Sequence, residues 1–159
     1  MRLVLGVDPG QGGALAILDS AGAFQCVADL PTISDKSLTW IDGAQLRATL
    51  RNAIGGRPCR AIVERVSSMP KQGVASSFAF GVAFGSILSV LQAMELPLVL
   101  VTPAVWKRSL GLTADKRASL HRARLLFPAA DLRLAKHDGR AEALLLAHWY
   151  LNRPIEAVA

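Results

Sequence analysis

Cysteine is scarce in this chain: Cys26 and Cys59 are the only two, and their spacing fits no thiolate metal site. A disulfide-stapled scaffold and a zinc module are both excluded. The two thiols read as small apolar packing groups in a reducing compartment. No secretory leader is expected either, because Met1-Arg2 runs straight into a strand pattern with no cleavage-site pattern behind it. Repeats, low-complexity tracts and linkers are absent too, so 159 residues read as a single domain over 1–159. Charge is absent from residues 73–94, a stretch long enough to span a bilayer. Ser76, Ser77, Ser86, Ser89 and Gln92 interrupt it and no Trp or Tyr belt flanks it, so a buried or interface helix is expected and no membrane. Acid is nearly missing from residues 101–140, where three aspartates face nine lysines and arginines. That excess of six equals the net charge of the whole chain, +6. A solvated helix face mixes its signs, so a one-sided segment points to a polyanion such as nucleic acid.

What is present is a globular composition, 52% apolar, enough to bury a core without staples. Residues 2–8 read as a strand buried on both faces. Residues 13–19 and 23–30 follow as a hairpin pair around Asp19-Ser20-Ala21-Gly22. Residues 31–39 read as a polar loop and 41–54 as an amphipathic helix ended by Gly55-Gly56. A strand at 61–66 precedes the loop of residues 67–73, and the uncharged helix is followed by a strand at 98–101. Thr102-Pro103 opens a short helix. Thr113 is the expected cap of a helix over roughly 114–127, and a last helix runs from near Asp138 to about Leu151. Three strands in a meander, then helices alternating with two more strands, predict one α/β domain on a mixed sheet.

Carboxylates mark the ends of these elements. Leu3-Val4-Leu5-Gly6-Val7 climbs to Asp8, and Ala61-Ile62-Val63 climbs to Glu64. If the two strands are parallel neighbours, both acids leave the sheet at the same edge. Asp138 and Glu142 lie four apart, on one helix face. Asp138 also suits an N-cap, whereas Glu142 stands in an apolar run. Buried acids cost free energy unless a cation meets them. Hard oxygen donors of this kind suit Mg²⁺ or Mn²⁺, and two such ions can clamp a phosphodiester.

These pieces together resemble the RuvC-like Holliday junction resolvases of the RNase H-like superfamily. The likeness rests on Gly6-Val7-Asp8-Pro9-Gly10, Ile62-Val63-Glu64-Arg65-Val66 and Ala141-Glu142-Ala143-Leu144. Glu95-Leu96-Pro97 and the Lys107 and Lys116 regions fall in matching order, and the whole spans roughly residues 2–150. The resemblance implies an RNase H-like five-stranded mixed sheet flanked by helices. It implies a crossover junction endodeoxyribonuclease that cuts two opposed strands of a four-way DNA junction with Mg²⁺ or Mn²⁺, two ions per site. Its catalytic and metal-holding acids map to Asp8, Glu64, Asp138 and Glu142, with Lys116 catalytic. Lys107, Arg108, Lys116 and Arg117 map to DNA binding. It also implies a homodimer through residues 73–94, where Gly81 and Gly85 permit close approach of a second helix. A cytoplasmic enzyme of DNA recombination and repair is the matching setting, and a phage-type or divergent member fits.

Two departures stand out. The family's last two acids are usually both Asp and three apart, which makes His137 a spare ligand candidate. An aromatic wedge expected about three residues after the second acid is replaced by Ser67, with Met69 nearby. The alternative function is an RNase H-like nuclease acting on other branched DNA, flaps or RNA-containing substrates. An actin-type ATP fold would need two such domains and a second phosphate motif. A DNA binder without catalysis has no use for four acids facing phosphates.

Overall fold

The computed structural model describes residues 2–10, 12–36, 38–65, 67 and 73–153. Val66 and residues 68–72 of the expected 67–73 loop, Met69 among them, lie outside the described residues.

A five-stranded sheet runs through the molecule, built from β1 (Leu3–Asp8), β2 (Ala14–Asp19), β3 (Phe24–Asp29), β6 (Cys59–Glu64) and β7 (Leu98–Val101) in the order β3-β2-β1-β6-β7. The meander β1-β2-β3 is antiparallel, while β6 and β7 join β1 in parallel. The helices are α1 (Gly43–Ile54), α2 (Val74–Ala93), α3 (Pro103–Ser109), α4 (Lys116–Leu126) and α5 (Asp138–Asn152). The mixed five-stranded sheet of the sequence reading is therefore present.

Strand alternation divides the core in two. Leu3, Leu5 and Val7 of β1 face a layer with α1 and α2, together with Leu15, Ile17, Ala61 and Val63. Val4, Ala16, Leu18 and Ile62 face the other layer, with α3, α4 and α5. Both sheet faces are covered, which is why β1 and β2 read as unbroken apolar runs. Helix α5 is apolar nearly all round because it lies in the middle of the second layer, buried from Ala141 through Ala147. Its closeness to the sheet depends on one residue. A Cβ on Gly6 would stand 2.1 Å from the Ala143 carbonyl oxygen, so only glycine lets α5 cross β1 at backbone contact.

Several expectations are corrected. Residues 31–39 are not all loop: β4 (Thr32–Ser34) pairs antiparallel with β5 (Thr39–Ile41) in a small hairpin. That pairing takes Ile41 out of the following helix, which starts at Gly43 behind Asp42, whose carboxylate accepts from the Gln45 N–H at 2.9 Å. Strand β6 starts at Cys59, earlier than its apolar run, because Leu3 of β1 pairs with it there. Asp115, not Thr113, caps α4: its carboxylate accepts from Arg117 N–H at 2.9 Å. The Thr113 hydroxyl accepts from Asp115 N–H at 3.2 Å, one step before the helix.

One described helix, α2, is long and apolar enough to cross a membrane, with mean hydropathy 1.9. It buries Ala83, Ile87 and Leu91 in the first core layer. Its opposite stripe carries Val74 and Phe78, 88% and 66% exposed, and both Gly81 and Gly85 face open space. Both thiols are free, and burial raises the Cys59 pKa to about 11, a packing group rather than a nucleophile.

Candidate active site

Register decides where the acids go. In the parallel pair β1/β6, Gly6 is opposite Ile62 and Val7 opposite Val63. Asp8 and Glu64 are each two residues further along, on the same face as Gly6 and Ile62. That is the α5 face. Since α5 touches Gly6 through Ala143, the preceding residue Glu142 arrives over the strand ends. Ligand atoms of Asp8, Glu64 and Glu142 all lie within 4.8 Å of one another. The first turn of α5 closes in equally tightly: a Cβ on Gly139 would stand 3.1 Å from Asp8 Oδ2 and 2.9 Å from the Gly12 carbonyl oxygen.

Each acid has a distinct set of partners. The indole Nε1–H of Trp106 donates to Glu64 Oε2 at 2.8 Å. Lys107 Nζ donates to Glu142 Oε1 at 2.6 Å, and the buried Ser119 hydroxyl donates to the same oxygen at 3.3 Å. No described residue donates a hydrogen bond to the Asp8 carboxylate. Burial, then the negative charges of Glu142 and Glu64, hold the Asp8 pKa well above the ordinary range. Burial also raises Glu64, against the lowering effect of the Trp106 hydrogen bond.

Asp138 stands apart from the cluster of three. It is the first residue of α5, not its cap; His137 occupies that position without a side-chain cap bond. Its carboxylate is free to accept from Lys116 Nζ. That hydrogen bond raises the Lys116 pKa, and the charges of Glu142 and Asp8 add to it. His137 is buried, with Nδ1 lacking a hydrogen-bond partner at 4.0 Å from Asp131 Oδ1. His137 is not among the described groups whose ligand atoms converge.

Of the residues expected at DNA, Lys116 is largely exposed, with 69% of its side-chain surface free, and Arg108 and Arg117 are exposed. Lys107 differs. With 14% of its side chain exposed, it lies inside the acidic cluster. Trp106 and Ser119 were not singled out from sequence. A tryptophan that must be buried yet find an acceptor for its N–H is the signal that was there to read.

The donor set fits a divalent cation. Four acids and two lysines give the site a formal charge of minus two, and the three converging acids are hard oxygen donors of the Mg²⁺ and Mn²⁺ type.

Solved structures carry the same architecture. T. thermophilus RuvC in complex with a Holliday junction substrate superposes with a TM-score of 0.60 over 94% of this chain and 94% of that one, at 18% identity. The chain has the RuvC fold. A second Thermus thermophilus RuvC structure agrees, with a TM-score of 0.54 over 93% of this chain, also at 18% identity. No family model matches the chain. Among curated proteins, "Holliday junction resolvase MOC1, chloroplastic" of Chlamydomonas reinhardtii is 38% identical over 94 residues. That match takes in 57% of this chain and 11% of the relative, so the chain spans about a tenth of that protein's length. In the RuvC fold as this chain builds it, the acidic cluster lies at the carboxyl ends of β1 and β6, beneath the first turns of α5.

Proposed function

We propose that the protein is a crossover junction endodeoxyribonuclease that resolves four-way DNA junctions by hydrolysing phosphodiesters in two opposed strands. The observation that carries this reading is the convergence of Asp8, Glu64 and Glu142 within 4.8 Å at one sheet end. The RuvC fold and the curated resolvase match support it.

Asp8, Glu64 and Glu142 would hold Mg²⁺ or Mn²⁺, with Asp138 beside them, and the four acids have room in their roles for two ions. Such ions supply a water nucleophile at neutral pH and stabilise the leaving oxygen. The remaining work belongs to the chain. Lys116 stays protonated and is exposed beside Asp138, where it can donate to the phosphate undergoing attack. Arg108 and Arg117, exposed and each next in sequence to a lysine of the site, would hold neighbouring phosphates. Lys107 holds Glu142 in place as much as it meets DNA.

Paired cuts need two sites. The exposed stripe of α2, with Val74, Phe78, Gly81 and Gly85, suits a second copy of the same helix across a two-fold axis. The reading is therefore a cytoplasmic homodimer acting on branched DNA.

The test is cleavage of a synthetic four-way junction with Mg²⁺ or Mn²⁺, against linear duplex, flap and RNA–DNA hybrid. Symmetrical incision of the junction is expected, lost in chelator and in Asp8→Asn and Glu64→Gln, both of which keep junction binding. Preferential cutting of the flap or the hybrid would replace this reading with the other nuclease class. Full activity of either variant would remove the acids from the mechanism.

A further inference from the structure

Trp106 and Lys107 are consecutive in α3, yet they meet different acids. Lys107 reaches Glu142, and Trp106 reaches Glu64. The indole is fully buried. An indole nitrogen only donates, and its ring is rigid, so its hydrogen bond has one direction. The helix that carries it is anchored where it begins. Arg65 N–H donates to the Val101 carbonyl at 2.6 Å, tying the end of β6 to the end of β7, from which α3 springs. Within the helix the Ser109 hydroxyl donates to the Trp106 carbonyl at 3.0 Å.

Glu64 needs such an anchor. It is half-buried at a strand end, and the charges of Glu142 and Asp8 lie on the same side. Like charges within 4.8 Å drive a flexible glutamate side chain away toward water. The Trp106 N–H opposes that motion, because swinging Glu64 out would strand a buried donor without an acceptor.

We propose that Trp106 is the positioning residue of the acidic cluster: its indole N–H fixes the Glu64 carboxylate in the orientation that meets a divalent cation beside Asp8 and Glu142. The proposal rests on the reading that Glu64 helps to hold that ion. Trp106 touches neither substrate nor ion; it acts through Glu64, as groups that orient metal-ligating side chains do.

Two measurements on the DNA-free protein test it. The first is ¹⁵N-edited NMR of the indole N–H resonances of Trp40, Trp106 and Trp149, assigned through the backbone. Glu64→Ala should shift the Trp106 signal strongly, because it removes the acceptor, and Mg²⁺ should move it saturably in the wild type. The second is Mn²⁺ affinity by calorimetry. Trp106→Phe keeps most of the buried ring and removes the donor, so affinity should fall about tenfold. In a Glu64→Ala background the same change should cost no further affinity, because the group it acts through is gone. A purely structural tryptophan would cost the same in both backgrounds, and that result would overturn the proposal. So would a Trp106 resonance indifferent to Glu64→Ala, a test that holds even if Trp106→Phe does not fold. Wild-type protein that binds no Mn²⁺ would instead overturn the nuclease reading itself.

Discussion

Asp8→Asn should make the metal-free protein more stable while it abolishes cleavage. In the wild type, Asp8 shares a partly buried site with Glu64 and Glu142, all within 4.8 Å. At that separation and an effective dielectric of about 20, each like-charge pair costs roughly 3.5 kcal/mol. Lys107 and Lys116 offset much of it, leaving a net cost on the order of 1–3 kcal/mol for one carboxylate. Asparagine keeps the shape and removes the charge. For a domain of this length, about 2–4 °C per kcal/mol gives a rise in Tm of roughly 3–10 °C in chelator near neutral pH. The pH dependence has a definite sign. The folded Asp8 carboxyl keeps its proton to higher pH than the unfolded one. Between those two pKa values the native state binds more protons, so stability falls as pH rises across the window. The cost is complete above the folded-state pKa and vanishes below the unfolded value near ~3.9. The advantage of Asp8→Asn should therefore shrink as the buffer is acidified. Mn²⁺ should raise the wild-type Tm more than that of the variant, because the ion stabilises only the state that binds it. Calorimetric melts over a pH series check all of this. A variant that melts at or below the wild type near neutral pH, or a gain independent of pH, would refute the electrostatic account of the site.

Glu142→Gln should abolish cleavage and weaken Mn²⁺ binding, whereas His137→Ala should leave Mn²⁺ affinity unchanged; calorimetry separates them, and equal losses would put the histidine at the ion. Arg117→Ala should lower the slope of log affinity against log salt by about one. Lys107→Ala should change that slope less, because Lys107 is spent on Glu142; fluorescence anisotropy with a labelled junction reads both, and a larger slope change at Lys107 would reverse the assignment. Gly81→Leu and Gly85→Leu should yield folded monomers with wild-type circular dichroism, since a side chain at either position meets nothing within 4 Å in the single chain; sedimentation showing an intact dimer for both would move the interface elsewhere.

The mixed sheet was legible in the sequence because most of its strands are short apolar runs and four of the five end in an acid. Residues 2–8 and 61–66 could be read as strands from composition alone, and the observed β1 and β6 differ from them only at their ends. The small hairpin of β4 and β5 was not legible, because Thr32–Ser34 and Thr39–Ile41 are only three residues long each. Such strands exist only through pairing with one another, which local pattern does not reveal. The three converging acids were named from sequence, since carboxylates at apolar strand ends and inside an apolar helix are conspicuous by their cost.

What sequence determined, then, was the inventory: which acids, which lysines, which strands and helices. Tertiary structure decided who meets whom. Gly6 sets how closely α5 lies on β1, and so brings Glu142 to Asp8. The turn of α3 sends Trp106 to Glu64 and Lys107 to Glu142, drawing a lysine expected at DNA into the acidic cluster. Asp138 goes instead to Lys116. The three hydrogen-bonded pairings join residues 22 to 42 positions apart, and Glu142 stands further still from Asp8 in the chain. Residue type and local periodicity act within a few positions, while contact between distant elements is fixed only when the core between them is packed.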